Sequence, residues 1–242
     1  MPTKWYTGKV IDIVQETLQV RRFFVDVEGE DTFKYEAGQF ITLDLPISDK
    51  RQKRWRSYSI ADCYRGHNTL ELCIVKSMNG MGTAYLFDQV DIGSTLTFKG
   101  PDGNFILPKN TEEKTIVMIC TGTGLAPFRS MINDILLHNH DIHKVHLIYG
   151  TRTSHDILYK EELLNIPATN KKIEIDIVLS REAEWSGYKG YVHQVYMEKY
   201  KDKIENTKFM LCGWTNMIDE AVANLIVSMG CEKSQIIYEL YG

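Results

Sequence analysis

Residues 115–127 read TIVMICTGTGLAP, a stretch that joins a strand-like run to the start of a helix. Thr115–Cys120 is almost continuously apolar, which is typical of a strand covered on both faces in a parallel sheet. The glycine turn Thr121–Gly124 follows, and Pro127 suits the first turn of a helix that we predict to extend to about Asn139. This stretch predicts an α/β domain.

The chain alternates between strand-like and helix-like segments from this turn to its end. Such alternation predicts a parallel sheet with helical crossovers. The predicted sheet has five strands: Thr115–Cys120, Val145–Tyr149, Ile173–Leu179, Phe209–Cys212 and Ile236–Leu240. The remaining predicted helices are Ile157–Leu164, Val192–Tyr200 and Met217–Met229.

Residues before this α/β pattern consist of short β-type segments separated by turn residues. Six strands at this spacing predict an antiparallel barrel or sandwich, with one helix near Gly82–Gln89. The predicted strands are Tyr6–Val14, Val20–Glu28, Gln39–Leu45, Arg56–Ile60, Thr69–Lys76 and Thr95–Lys99. The polar stretch Pro108–Lys114 separates the two patterns, so we expect a β-barrel domain over 1–108 and an α/β domain over 109–242.

Composition excludes several classes of protein. The chain has 242 residues, of which 43% are hydrophobic and 25% charged, and its net charge of -4 gives no reason to expect nucleic acid or an anionic membrane as partner. No apolar run is long enough to insert into a membrane, and residues 1–5 lack the apolar stretch of a signal peptide. We expect a cytoplasmic monomer.

The five cysteines argue against a metal site. Their number is odd and no two form a CxxC pair, so neither a disulfide framework nor a zinc site is expected. The cysteine spacing of plant-type ferredoxins is also absent, so we expect no iron–sulfur cluster in this chain.

Two motifs in the β-rich half have the chemistry of a phosphate and ring site. Arg56 and Tyr58 alternate along a strand with Ser57 and Ser59, so the first pair shares a face that could hold a phosphate and stack on a flat ring. An ordinary surface strand is the alternative. Gly80–Thr83 opens the helix, where Thr83 is either a simple N-cap or part of a helix N-terminus that binds a pyrophosphate.

Three motifs follow strands of the α/β half, at the edge where ligands bind in open parallel sheets. The turn Thr121–Gly124 fails the usual dinucleotide fingerprint, because Pro127 replaces the third glycine and no acid ends the next strand; it is a nucleotide site or a plain tight turn. Cys212–Met217 also joins a strand end to a helix, although Cys212 could be a small buried residue. Ser180–Glu182 and Lys189–Tyr191 are either ligand contacts or solvated loops.

Taken together in this order, these motifs resemble the ferredoxin–NADP⁺ reductase family over nearly the whole chain. Arg56–Ser59 is similar to its flavin motif, Leu72–Lys76 to the strand along the flavin phosphates, and Gly80–Thr83 to its pyrophosphate motif. Gly122–Pro127 resembles its nucleotide turn, in which proline is normal. The resemblance implies that FAD is bound by Arg56, Ser57, Tyr58, Ser59, Val75, Lys76, Gly80, Gly82 and Thr83.

The resemblance also implies how a nicotinamide nucleotide is bound. Contacts are expected from Thr121, Gly122, Thr123, Gly124, Ser180, Arg181, Lys189, Tyr191, Cys212, Gly213 and Met217. The implied catalytic residues are Ser59 near flavin N5, Cys212 beside nicotinamide C4, Glu239, and Tyr241, which resembles a terminal tyrosine that covers the flavin in plant-type members. Here Gly242 follows that tyrosine.

The implied activity is hydride transfer from NADPH to FAD, followed by electron transfer to a separate ferredoxin or flavodoxin. We favour NADPH because Ser180, Arg181, Lys189 and Tyr191 resemble the residues that bind its 2′-phosphate, although NADH stays possible and Glu182 and Glu184 lie in the same loop. The alternatives are an NADH-dependent flavin reductase, the reductase component of a monooxygenase, and a non-catalytic nucleotide-binding subunit.

Overall fold

The structure, a computed structural model, describes residues 4–109 and 114–241. The expectations that concern the extreme N-terminus, linker positions 110–113 and Gly242 fall outside the described residues. The chain forms two compact units. One runs to Leu107 and includes Arg129–Leu137, and the other holds Pro108–Phe128 and the chain from His138 onward. The boundary after residue 108 stays a prediction.

The first unit contains an antiparallel sheet, which in the described residues has six strands. Their order is β4-β3-β6-β1-β2-β5. The strands are β1 (Trp5–Thr17), β2 (Val20–Glu28), β3 (Phe40–Asp44), β4 (Trp55–Ser59), β5 (Thr69–Val75) and β6 (Thr95–Asp102).

The two outer strands of this sheet meet and close it into a barrel. An antiparallel bridge joins Ile60, just beyond β4, to Leu72 on β5. Beside it, the Ala61 N–H donates to the Glu71 carbonyl oxygen at 2.8 Å. Closure gives hydrogen-bond partners to strand edges that would otherwise be open, and the interior is filled by buried apolar side chains. The predicted β-barrel is confirmed.

Helix α1 (Met81–Asp88) follows β5 and begins one residue before its predicted start. Its N-cap is Gly80, so the interpretation of Thr83 as N-cap is wrong. The Thr83 hydroxyl lies inside the first turn, where it donates to the Gly80 carbonyl at 3.1 Å and accepts the Ser77 N–H at 3.0 Å. The side chain therefore fixes the loop that leads into the helix.

The second unit contains a parallel sheet of order β10-β9-β8-β7-β11-β12. Its strands are β7 (Thr115–Thr121), β8 (Lys144–Thr151), β9 (Ile173–Leu179), β10 (Tyr188–Lys189), β11 (Thr207–Trp214) and β12 (Ile236–Tyr241). The helices are α2 (Leu125–His138), α3 (Lys160–Thr169), α4 (Val192–Tyr200) and α5 (Thr215–Ala223), and a π-helical turn, Asn224–Ser228, extends α5.

Two expectations for this unit need correction. The sheet has a sixth strand, β10, which pairs with β9 only through Tyr188 and Lys189; two residues inside a polar loop leave no periodic signal. The helix predicted from Ile157 begins instead at Lys160. Tyr159 adopts a left-handed conformation with φ 50°, which interrupts a helix, so the buried Ile157 reflects core packing and not helical periodicity.

The strand order places a ligand crevice in this sheet. From β7 the chain builds β8, β9 and β10 on one side, and then returns to add β11 and β12 on the other. Ligands bind at the carboxyl ends of strands where the order reverses in this way. The crevice is therefore expected where β7 and β11 end. Within residues 4–109 and 114–241, no helix is long and apolar enough to cross a bilayer.

Candidate functional site

The flavin-type motif lies on β4. The register pairs Arg56 with Leu43 and Tyr58 with Ile41, so Arg56 and Tyr58 share a face, as strand alternation predicts. The Ser57 hydroxyl is 2.9 Å from that of Thr42 on β3, a cross-strand hydrogen bond. Ser59 is buried at the end of the strand.

Arg56 packs against the first turn of α1, and the two define the arginine–helix cradle: Arg56, Gly80 and Gly82. A Cβ atom on Gly82 would lie 2.9 Å from Arg56 Cγ and 3.2 Å from Nε, so only glycine permits this approach. The guanidinium Nη1 donates to the carbonyls of Lys53 at 3.0 Å and Trp55 at 2.7 Å. A helix N-terminus beside a fixed guanidinium is a site that fits a pyrophosphate.

Tyr58 lies against the barrel interior with its ring partly buried. Burial raises the pKa of its phenol to about 12, so the side chain is neutral in the physiological range. A neutral ring held by packing is suited to stack on a flat heterocycle.

Val75 and Lys76, which the resemblance implies bind FAD, lie at the end of β5. Val75 pairs with Val20, and the Lys76 N–H donates to the Gln19 carbonyl at 2.8 Å. The Lys76 ammonium lies 2.6 Å from the carboxylate of Asp88, the last residue of α1. Its charge is therefore engaged at the opposite end of α1 from the arginine–helix cradle.

In the second unit, the glycine turn packs on the end of β11. A Cβ atom on Gly124 would lie 2.4 Å from the Cys212 carbonyl oxygen, so any larger residue would push the turn away from that strand. Gly122 has φ 55° and open space where a side chain would be. The turn therefore leaves room for a ligand to approach its backbone.

Cys212 lies near the carboxyl end of β11, where the crevice is expected, and is fully buried. It pairs in register with Cys120 on β7 and Glu239 on β12. Burial, together with the charge of Glu239, raises the pKa of the Cys212 thiol, and a hydrogen bond from Tyr241 acts in the opposite direction. The thiol is therefore protonated near neutral pH, and the sheet brings together three of the four implied catalytic residues.

Thr121 and Met217 complete the surroundings of Cys212. The Thr121 hydroxyl is buried and has no hydrogen-bond partner among the described residues. A Cβ atom on Gly213 would lie 2.7 Å from this hydroxyl. Met217, in the first turn of α5, is 9% exposed. A buried hydroxyl that lacks a protein partner fits a crevice whose hydrogen bonds are completed by a polar ligand.

A cluster of cations lies where β9 ends. Lys189 pairs with Leu179, the last residue of β9, and Ser180 and Arg181 come directly after it. The Ser180 hydroxyl donates to the Thr151 carbonyl at 3.3 Å. Tyr191 is the N-cap of α4 and is 69% exposed. The four residues that the sequence singled out thus lie around one strand end.

Sequence reasoning missed Arg152 as a member of this cluster. The Arg181 N–H donates to the Arg152 carbonyl at 2.8 Å, which places the two arginines on neighbouring backbones. Arg152 also pairs with Asp156 at 3.0 Å. The signal was available, because a cation replaces the expected acid after β8. Arg152, Arg181 and Lys189 are called the phosphate-type cluster below.

A separate charge network lies at the amino ends of β8 and β9. His146 is fully buried and its Nε2 lies 2.9 Å from Asp176. The Lys199 ammonium lies 2.5 Å from Asp176 and 2.6 Å from Glu174. Although desolvation raises it, hydrogen bonds from Lys144 and Lys199 lower the pKa of Glu174 to about 2. The network is a set of neutralised charges that joins β8, β9 and α4.

Comparison with known proteins matches the two parts of the chain to two different families. Residues 7–106 match the oxidoreductase FAD-binding domain family, and residues 118–223 match the oxidoreductase NAD-binding domain family. The fold is that of the ferredoxin NADP⁺ reductase from Neisseria gonorrhoeae, solved with bound FAD and NADP: the TM-score is 0.82 at 24% identity, over 98% of each chain.

Two curated relatives extend the comparison. Ferredoxin–NADP reductase B of Sorangium cellulosum is 33% identical over 184 residues, which cover 76% of this chain and 73% of that protein. The phenol hydroxylase P5 protein of Acinetobacter pittii is 31% identical over 239 residues, 94% of this chain and 63% of that protein. This chain spans from 51% to 73% of the length of these and two further relatives.

The fold and the two family matches place the chain among flavin-dependent oxidoreductases that have one domain for FAD and one for a nicotinamide dinucleotide. The chain belongs to the ferredoxin–NADP⁺ reductase-like family.

Proposed function

We propose that this protein oxidises NADPH and delivers the electrons to a separate acidic electron-carrier protein. The observation that carries the proposal is the group formed by the buried Cys212 and the half-buried Glu239 and Tyr241 at the switch point of the sheet, beside a turn that only glycine permits. Bound FAD would supply the chemistry, since it accepts a hydride from a nicotinamide and can release electrons singly.

The residues of the first unit would bind and orient FAD. Arg56 and the first turn of α1 would hold the pyrophosphate, because both present fixed N–H donors there. Tyr58 would stack on the ring system, and Ser59, at the end of the same strand, would hydrogen-bond to it. Ser57 would act indirectly, through its bond to Thr42.

The residues of the second unit would bind the nicotinamide end of the nucleotide. Thr121 would donate its unpartnered hydroxyl, and Gly122–Gly124 would present backbone N–H groups. Cys212 would contact the nicotinamide as a neutral thiol, because its pKa is raised by burial. Cys212 would thus add no charge of its own, and the carboxylate of Glu239, paired with it in register, would compensate the positive charge that develops on the nicotinamide.

The preference for NADPH rests on the phosphate-type cluster. A 2′-phosphate is a dianion near neutral pH, and three cations at the neighbouring ends of β8 and β9 suit it. Arg152 occupies the region where an acid would accept the ribose 2′-hydroxyl of NADH. Asp156 pairs with Arg152 itself, and Glu182, the acid directly after Arg181, accepts the Ser154 N–H, which supports an orientation of Glu182 away from the phosphate.

The acceptor is inferred from the charge of a short segment, residues 50–56, which contains five cations in a chain of net charge -4. Lys50, Arg51 and Lys53 are exposed. Arg51 and Lys99 lie over the ring of Trp55, at 5.3 and 4.4 Å from its centre. This basic segment leads into the flavin-type strand, so an acidic carrier such as a ferredoxin or flavodoxin would be drawn to it.

The test separates the two half-reactions. NADPH should bleach the flavin of the purified protein in stopped flow, and ferredoxin and flavodoxin should then reoxidise it in a salt-dependent manner. Lys53→Glu should slow reoxidation by the acidic carriers and leave reoxidation by a neutral quinone unchanged. Failure of NADPH or NADH to reduce the flavin would favour a non-catalytic nucleotide-binding subunit.

A second candidate function is the reductase component of an oxygenase. It is favoured by similarity to the phenol hydroxylase protein of Acinetobacter pittii over 94% of this chain. A preference for NADH, with an oxygenase as the best acceptor, would select this function. The cytoplasmic location and the monomeric state stay predictions.

A further inference from the structure

Two loops of the second unit lie side by side beyond β8 and β9. The Ser180 N–H donates to the Thr151 carbonyl at 3.0 Å, and the Arg181 N–H donates to the Arg152 carbonyl at 2.8 Å. Arg152 and Arg181 are both exposed and lie beyond the ends of their strands. The separation of their guanidinium groups therefore depends on what holds the two loops together.

A carboxylate reinforces this junction. Glu182 Oε2 accepts the Ser154 N–H at 2.5 Å, a bond between residues 28 positions apart. Hydrogen bonds from Ser154 lower the pKa of Glu182, so this carboxylate is ionised near neutral pH. Ser154 opens a short 3₁₀ turn whose N-terminus is closed by a capping box between Thr153 and Asp156. The bond thus ties Glu182 to a loop that is already locally ordered.

We propose that Glu182 is a positioning residue for nucleotide discrimination. By holding Ser154 it fixes the Arg152 loop against the Arg181 loop, and it directs its own negative charge away from the phosphate that the two arginines bind. This inference rests on the proposed use of NADPH. A nucleotide without the 2′-phosphate gains little from the arrangement, because it has no dianion to place between the cations.

Charge repulsion alone predicts the opposite effect of Glu182 on the binding of NADPH. An acid next to Arg181 would repel a phosphate, so its removal would strengthen the binding of NADPH. If Glu182 instead positions the arginines, its removal weakens that binding. The same variant therefore separates the two ideas by the sign of its effect.

Three variants test the inference. Glu182→Ala removes the acceptor, whereas Glu182→Gln keeps an oxygen that can accept the Ser154 N–H but removes the charge. Glu184→Ala is the matched control, because it removes an exposed acid from the same loop. The measurements are KM and kcat with NADPH and NADH, and the Kd of adenosine 2′,5′-bisphosphate and of AMP, which report on the nucleotide site without turnover.

Glu182→Ala should weaken bisphosphate binding and raise the KM for NADPH, each about five- to ten-fold, the scale of one lost hydrogen bond. Its kcat and its KM for NADH should not change. Glu182→Gln and Glu184→Ala should stay within about twofold of the wild type, since both keep the bond to Ser154.

Tighter bisphosphate binding by Glu182→Ala would overturn the inference in favour of repulsion. Equal losses with NADPH and NADH would overturn it as well, because they would indicate a general structural role. If the wild-type protein binds the bisphosphate no more tightly than AMP, the proposed use of NADPH fails first. That result is measured on the wild-type protein, so it can be told apart from a wrong prediction for the Glu182 variants.

Discussion

Substitution of Gly82 by alanine is expected to weaken FAD binding much more than it weakens the fold. The new Cβ would lie 2.9 Å from Arg56 Cγ and 3.2 Å from Nε, well inside the ordinary carbon–carbon separation of about 3.5–4.0 Å. Arg56 cannot simply swing aside, because its Nη1 is bonded to the carbonyls of Lys53 and Trp55. The guanidinium must therefore leave the position in which it faces the first turn of α1.

The magnitude follows from the loss of the proposed hydrogen bond between the Arg56 guanidinium and the FAD pyrophosphate. A hydrogen bond to a charged group contributes about 1.5–3 kcal/mol, which corresponds to roughly a ten- to hundred-fold increase in the Kd for FAD. The apoprotein is affected less, because the loss of the Arg56 bonds to Lys53 and Trp55 is offset in part by the helix preference of alanine over glycine, up to about 1 kcal/mol. Gly82→Ala should therefore bind FAD poorly while its apoprotein unfolds at a urea concentration close to that of the wild type.

The assay is titration of the apoprotein with FAD, followed by quenching of flavin fluorescence, with urea unfolding measured on the same samples. Met81→Ala is the control, because Met81 lies in the same helical turn and is 54% exposed. Wild-type affinity in Gly82→Ala would refute the placement of the pyrophosphate at the arginine–helix cradle. A loss of apoprotein stability as large as the loss of FAD-binding free energy would indicate a general structural defect and would refute the argument from close approach.

Three further predictions concern the second unit. Arg181→Ala should lower kcat/KM for NADPH by roughly ten- to hundred-fold and leave NADH almost unaffected; equal losses would contradict its role in the phosphate-type cluster. Cys212→Ala should slow flavin reduction in stopped flow at unchanged FAD content, and because burial raises its thiol pKa, the wild-type rate should show no thiol inflection between about pH 7 and 9. The pKa of Glu174 is lowered to about 2 in the folded state, so its ion pairs stabilise the protein above the ordinary glutamate pKa and that stability is lost as pH falls towards 2. Lys199→Met should reduce this acid dependence in urea unfolding, and an unchanged dependence would show that the bond from Lys199 to Glu174 does not contribute.

The sequence predicted the two-part fold because both periodicities are strong. Alternating β-segments gave the barrel, and buried runs such as Thr115–Cys120 gave the parallel strands. The sequence prediction was wrong where a buried apolar residue does not belong to a helix. The helix expected from Ile157 begins at Lys160, because Tyr159 is held in a left-handed conformation. Thr83 was ambiguous for a similar reason, since only the path of the preceding loop decides which group its hydroxyl meets.

Much of the candidate site could also be read from short motifs. The alternation that places Arg56 and Tyr58 on one face is a local property, and so is the succession of strand, glycine turn and helix after Thr115. Residue type and spacing along the chain determine both. The sequence therefore determined the domain types, the order of the motifs, and which side chains have the chemistry to bind a flavin and a nucleotide.

Tertiary structure decided which of those groups meet. The pairing of Cys212 with Glu239, the entry of Arg152 into the phosphate-type cluster, and the direction of Glu182 towards Ser154 all join residues far apart along the chain. Local periodicity has no information on such pairs, because they depend on strand order and on hydrogen bonds between loops. Only once the strands are ordered in the sheet do their ends, and the charges they carry, come to lie together.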